Sequence, residues 1–278
     1  MSRTSSKWII LAAAAVGTLG LVLQAQADQI VSVQFPAYSY LNGPNTQGGA
    51  NFNYVAGVTS VNNWNMPTDF PAQRSAAWPH TSSGSGLIDS NSATTGIGYT
   101  LSFNELETSN AQELQFGGQW PNVSWWNKGA QADVKLAQGG AISYSWGTDT
   151  GTPTVLTVTG MDTAKNYNLI AYVTGAWYAE GSTAAVSLGG TTYYAKISAN
   201  TLGSWTQATS TDLLNPMTGN YVEFFGLTGV STETVTVTGI NTGLSGFQLV
   251  EAAAVPEPAG LALLGLGALA LFRRRRRA

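Results

Sequence analysis

The sequence predicts an all-β protein, a jelly-roll-like β-sandwich over residues 28–251 between two short targeting segments. Three observations carry this. Runs of five to eight residues alternate apolar and polar positions, the period of a strand with one buried face. Gly, Asn and Asp bound these runs at spacings typical of sandwiches and barrels. No long amphipathic helical pattern follows residue 27.

The expected strands follow in order. Residues 29–35, Gln-Ile-Val-Ser-Val-Gln-Phe, place apolar side chains near every second position. Residues 97–103 alternate cleanly, and 140–146 put Ile142, Tyr144 and Trp146 on one face. Then come 154–159 and 167–174, the latter (Tyr-Asn-Leu-Ile-Ala-Tyr-Val-Thr) the richest strand sequence in the chain. Residues 183–188 and 191–197 flank Gly189-Gly190, which reads as a two-residue hairpin turn. Residues 221–227, 234–238 and 246–250 complete the set. Residues 104–113 carry acids around Leu106 and fit one or two helical turns. Leu156-Thr-Val-Thr-Gly-Met-Asp162 and Val235-Thr-Val-Thr-Gly-Ile-Asn241 resemble each other, but their flanks do not match. They read as the same strand-and-turn solution reached twice rather than a duplicated half-domain.

The two ends read as address labels. Residues 1–7 carry Arg3 and Lys7 and no acid, and 8–23 are almost unbroken apolar. Gln24-Ala25-Gln26-Ala27 then places small residues at Ala25 and Ala27. Basic, apolar and small-x-small regions in that order make a secretory signal peptide over 1–27, cut after Ala27. Signal peptidase and the Sec machinery are the implied partners. At the other end, 252–278 contains Val255-Pro256-Glu257-Pro258, an uncharged stretch over 259–272, and Arg273, Arg274, Arg275, Arg276 and Arg277. Fourteen helical residues span about 21 Å, short for a bilayer core of about 30 Å. Snorkelling arginines and local thinning would close the gap. The arginine run favours the cytoplasmic side, which leaves the domain outside.

The Pro-Glu-Pro motif, apolar helix and arginine cluster resemble the PEP-CTERM sorting signal of Gram-negative bacteria. Ala259 stands where that signal often has Ser or Thr. The resemblance implies an exosortase-type processing enzyme acting near Pro256. It also implies transient inner-membrane insertion through the C-terminal helix, then passage to the cell surface or beyond. The opening Val-Ser-Val-Gln-Phe, the strand at Tyr167–Tyr172 and the closing Leu244-Ser-Gly-Phe-Gln-Leu-Val250 resemble galactose-binding-like jelly rolls. That resemblance implies an eight- to ten-stranded sandwich with neighbouring first and last strands, and does not imply sugar binding.

Composition narrows the function. Residues 28–255 hold five basic and fourteen acidic side chains, a formal charge of about −9; the whole-chain value is −3. Such a domain lacks the basic face that nucleic acid requires. The chain has no cysteine, which excludes thiol catalysis and iron–sulfur clusters. Charged residues are 10%, so Gly, Ser, Thr, Asn and Gln fill the surface.

Candidate chemistry is sparse. His80 is the only histidine and would have to serve any Ser-His-Asp triad. Its surroundings read as a solvated loop, and no Gly-x-Ser-x-Gly elbow occurs. Glu105, Glu107 and Glu113 lie close together in sequence, whereas a glycosidase pair usually comes from separate strands. No cofactor is expected. A structural calcium would fall at Asp149 in 147–151, where a plain Gly/Asp turn competes as a reading. The suggestive groups are aromatic: Trp64 with Asn65, and Trp125 and Trp126 with Asn127, in loop-like segments able to stack and hydrogen-bond a sugar. The competing reading of these tryptophans is core, which Trp146 fits best. The leading expectation is a non-enzymatic, structural or adhesive surface or matrix protein associated with exopolysaccharide or biofilm. A carbohydrate-binding module using the loop aromatics is the alternative, with a secreted hydrolase behind it.

Overall fold

The structure, a computed structural model, describes residues 29–35, 55–67, 69, 79–106, 141–143, 152–175, 181–198 and 205–252. Among these residues every regular element is a strand. In chain order they are β1 (Ile30–Gln34), β2 (His80–Gly84), β3 (Gly98–Phe103), β4 (Glu105–Leu106), β5 (Ala141–Ser143), β6 (Thr154–Thr159) and β7 (Asn166–Gly175). Then follow β8 (Thr183–Leu188), β9 (Thr191–Lys196), β10 (Met217–Thr218), β11 (Tyr221–Thr228), β12 (Thr232–Thr238) and β13 (Thr242–Glu251).

The strands form two sheets, the arrangement of a β-sandwich. The first runs β11-β7-β13-β5-β4, with β1 also paired to β13. The second runs β10-β9-β8-β12-β6-β3-β2. Apart from the short parallel pair β9–β10, the strand pairings described are antiparallel. Residues 29–252 form one compact unit.

The alternation in the sequence decides which face each side chain takes. In β6, Leu156 and Val158 point inward while Val155, Thr157 and Thr159 point out. In β12, Val235 and Val237 point inward and the threonines out. The two similar segments therefore lie side by side, with Val235 the register partner of Leu156. Phe35, Leu101, Phe103, Leu169, Val222 and Phe247 help fill the core between the sheets. The β8–β9 hairpin turns at Gly189 (φ 56°) and Gly190 (φ 86°), the two positive angles of a type I′ turn.

The differences from expectation have local causes. β2 was not foreseen because His-Thr-Ser-Ser-Gly carries no apolar alternation; it is an edge strand with Ser82 as its buried residue. His80 therefore belongs to a strand rather than a loop, its ring 5.7 Å from that of Phe103. Glu105–Leu106 is extended and pairs with β5, not helical. Residues 107–113 and 144–146 lie outside the described residues. The first and last strands do meet: Val31 is the register partner of Leu249 and Val33 of Phe247.

Candidate functional site

The two outer faces of the sandwich differ in kind. On the first sheet, alternation would send Ser32, Gln34 and Gln248 to solvent, yet all three are buried. Residues 55–65 fold over this face and build a second small core from Ile30, Ala56, Val61, Trp64, Ile170 and Tyr172. A polar network ties the loop down. The Tyr172 hydroxyl donates to Gln248 Oε1 and accepts from the Val58 N–H (2.8 Å). Gln248 Oε1 also accepts from the Thr59 N–H (3.2 Å), while Gln248 Nε2 donates to Ser32 Oγ (3.0 Å) and the Thr59 carbonyl (2.8 Å). The buried amide thereby uses both ends, as a group cut off from water requires. Gly57 sits here at φ 97°, where a Cβ would lie 2.8 Å from both Gln248 Oε1 and Trp64 Cζ2.

This network determines where two of the expected ligand residues lie. Trp64 is fully buried, its ring 6.0 Å from that of Tyr172, and its Nε1 donates to the Val61 carbonyl (3.2 Å). It offers no open ring face to a sugar. Asn65 Nδ2 donates to the Ser32 and Ile88 carbonyls (2.9 and 2.8 Å), and Oδ1 accepts from the Ile88 N–H (2.8 Å). Its amide fastens β1 to the 87–95 turn. Cover is thinner over β11, where Glu223 is half-buried and desolvation pushes its carboxyl above the ordinary value.

Two carboxylates brace the margins. Asp89 is buried; burial alone would raise its pKa, but the Gln29 side-chain amide and the N–H groups of Ala93 and Asn91 outweigh that and hold it low. At β2, the last strand of the second sheet among the described residues, Asp69 accepts from Ser82 Oγ (2.6 Å) and the Ser83 N–H (2.7 Å), occupying an edge donor that would otherwise be available to another chain. Tyr99 lies 3.3 Å from Ser82 Oγ; burial raises its phenol.

Among the described residues, the second sheet's outer face is polar and partly exposed. One row of register partners crosses six strands: Thr81, Ser102, Val155, Thr236, Ser187 and Thr192. A second row crosses four: Ser83, Thr100, Thr157 and Thr234. All ten are partly or fully exposed, none is ionisable, and nine carry a hydroxyl. Thr157 and Thr234 share a hydrogen bond (3.2 Å), as do Ser187 and Thr192 (2.8 Å). Sequence reading passed over this face. Its sequence signal is the period-two threonines of 232–238 and 157–159, which by themselves mark only the polar side of a strand.

The other expected sites fall elsewhere. Trp125, Trp126 and Asn127, the Asp149 segment, Ala25 and Ala27, and 255–277 with its arginines lie outside the described residues. Among the described residues no group of three or more His, Cys, Asp or Glu is placed to hold a metal ion, and no helix is long and apolar enough to cross a membrane. No curated protein and no solved structure matches the chain. Residues 254–277 match the family model of the PEP-CTERM protein-sorting motif, the mark of an exported, exosortase-sorted surface protein.

Proposed function

We propose that the chain is a non-enzymatic surface or extracellular-matrix protein whose sandwich serves as a structural or adhesive module. The observation that carries this reading is the pair of hydroxyl-bearing rows on the second sheet's outer face, ten positions without an ionisable group in a domain of formal charge about −9. Such a face offers many weak hydrogen bonds spread over a wide area, the requirement for adhesion rather than for turnover at one point. The sorting motif delivers the domain to the place where adhesion matters.

The test compares producing cells carrying the intact chain, a gene deletion, and a chain with Pro256, Glu257 and Pro258 replaced by Ala. The protein is expected in the surface or matrix fraction, with a measurable loss of matrix cohesion on deletion. Hydrolysis of glycans or esters by the purified protein, or a matrix indifferent to the deletion, overturns the reading.

A further inference from the structure

The hydroxyl rows of the second sheet have a pitch. Neighbouring strands lie about 4.8 Å apart, and alternate residues along one strand about 6.7 Å apart. The two rows therefore form a lattice four strands wide, which the longer row extends to six. Among the ten positions the hydroxyls are interrupted at Val155 alone. Lys196, on the same outward side of β9, lies beyond both rows, where its register partner is Thr183.

We infer that this face binds a single extended strand of a neutral polysaccharide, laid across the β-strands with about one sugar ring per strand. The inference rests on the adhesive reading above and names its partner. Charge sets the class: the two rows hold no ionisable group to pair with an acidic polymer, Lys196 is the one cation on that side among the described residues and lies beyond them, and a domain of about −9 repels a polyanion. Pitch sets the direction, because the strand spacing is close to the rise of one ring in an extended polysaccharide chain. Threonine supplies the contacts. It sets a methyl beside a hydroxyl, matching a sugar ring with C–H faces and a hydroxyl rim. Each hydroxyl contact contributes little net in water, so retention depends on many in series.

Twist separates a single chain from a crystalline surface. Successive strands rotate by roughly 20°, so a flat lattice such as ice meets only a few strands at once. A single chain can follow the rotation across all six.

The experiment uses the full chain purified in detergent, with amorphous cellulose as the probe and soluble cello-oligosaccharides of increasing length as competitors. Retention on the cellulose is expected, with competition strengthening as the oligosaccharide lengthens towards the six-strand row. The decisive variant combines Thr100→Val, Thr157→Val, Thr234→Val and Thr236→Val. Valine keeps the shape and the strand preference of threonine, so an unchanged melting curve confirms the fold. Binding is expected to weaken by about tenfold or more, the equivalent of at least one lost hydrogen bond. Equal binding by that variant overturns the inference, as does retention on acidic polysaccharide alone. Ice shaping without cellulose retention would reassign the face to ordered water and also overturn it. Retention on the producing cells' own matrix but not on cellulose defeats the inference while leaving the adhesive reading intact; retention on neither defeats both.

Discussion

Replacing Trp64 with Ala tests the second core directly. The indole is fully enclosed, touches the Tyr172 ring and donates to the Val61 carbonyl. A buried tryptophan removes about 150–250 Å² from water, or about 4–6 kcal/mol at about 25 cal/mol per Å². Residual burial in the unfolded chain trims this to about 3–5 kcal/mol, the range measured for large aromatic truncations. The assay is urea unfolding of residues 29–252, followed by far-UV circular dichroism. With a slope of about 3 kcal/mol per M, the midpoint falls by about 1–2 M. Trp64→Phe retains a ring but loses the indole donor, and costs about 1–2 kcal/mol. A loss below about 1 kcal/mol for Trp64→Ala, at unchanged slope, would refute the packing of 55–65 over the first sheet. Loss of glycan retention at unchanged stability would instead return Trp64 to the role of ligand platform.

Three further outcomes are expected. Gly57→Ala meets Gln248 and Trp64 at 2.8 Å with φ at 97° and costs about 2–4 kcal/mol, whereas Gly190→Ala, with φ 86° and open space around it, costs about 1–2 kcal/mol; thermal melts of the two variants separate crowding from backbone strain. Asp89 stays ionised to lower pH in the folded chain than in the unfolded one, so its contribution is complete above the unfolded pKa of about 3.9 and drains as pH falls through the folded value. Asp89→Asn is expected to flatten that part of the stability–pH curve measured by urea titration, and an unchanged acid limb would contradict the assignment. Replacing Pro256, Glu257 and Pro258 with Ala is expected to leave a longer, membrane-retained species on immunoblots, where the intact chain yields a shorter one.

Much of the fold was legible because strands buried on one face announce themselves. β6 and β8 coincide with their expected ranges, and the turn between β8 and β9 was set by two glycines. What could not be read was burial on the second face. Ile-Val-Ser-Val-Gln looks half-exposed, yet all five residues of β1 are buried, because 55–65 cover the side that alternation assigns to water. The same blind spot affected Trp64 and Asn65. Asn62-Asn63-Trp64-Asn65 has loop composition and is a loop, but only tertiary packing decides whether a loop's tryptophan faces solvent or a sheet. β2 and β10 escaped notice for another reason: one has a single inward residue among polar neighbours, and the other is two residues long.

The pairing of β1 with β13 sets the order of assembly. The first strand of the exported domain emerges with its partner still more than two hundred residues behind it. The first sheet has no means of closing until nearly the whole domain has crossed the membrane, and such distant pairings make slow folders. Its last strand is followed at once by the sorting segment. The sheet can therefore zip only once the chain has been delivered almost as far as the sorting segment.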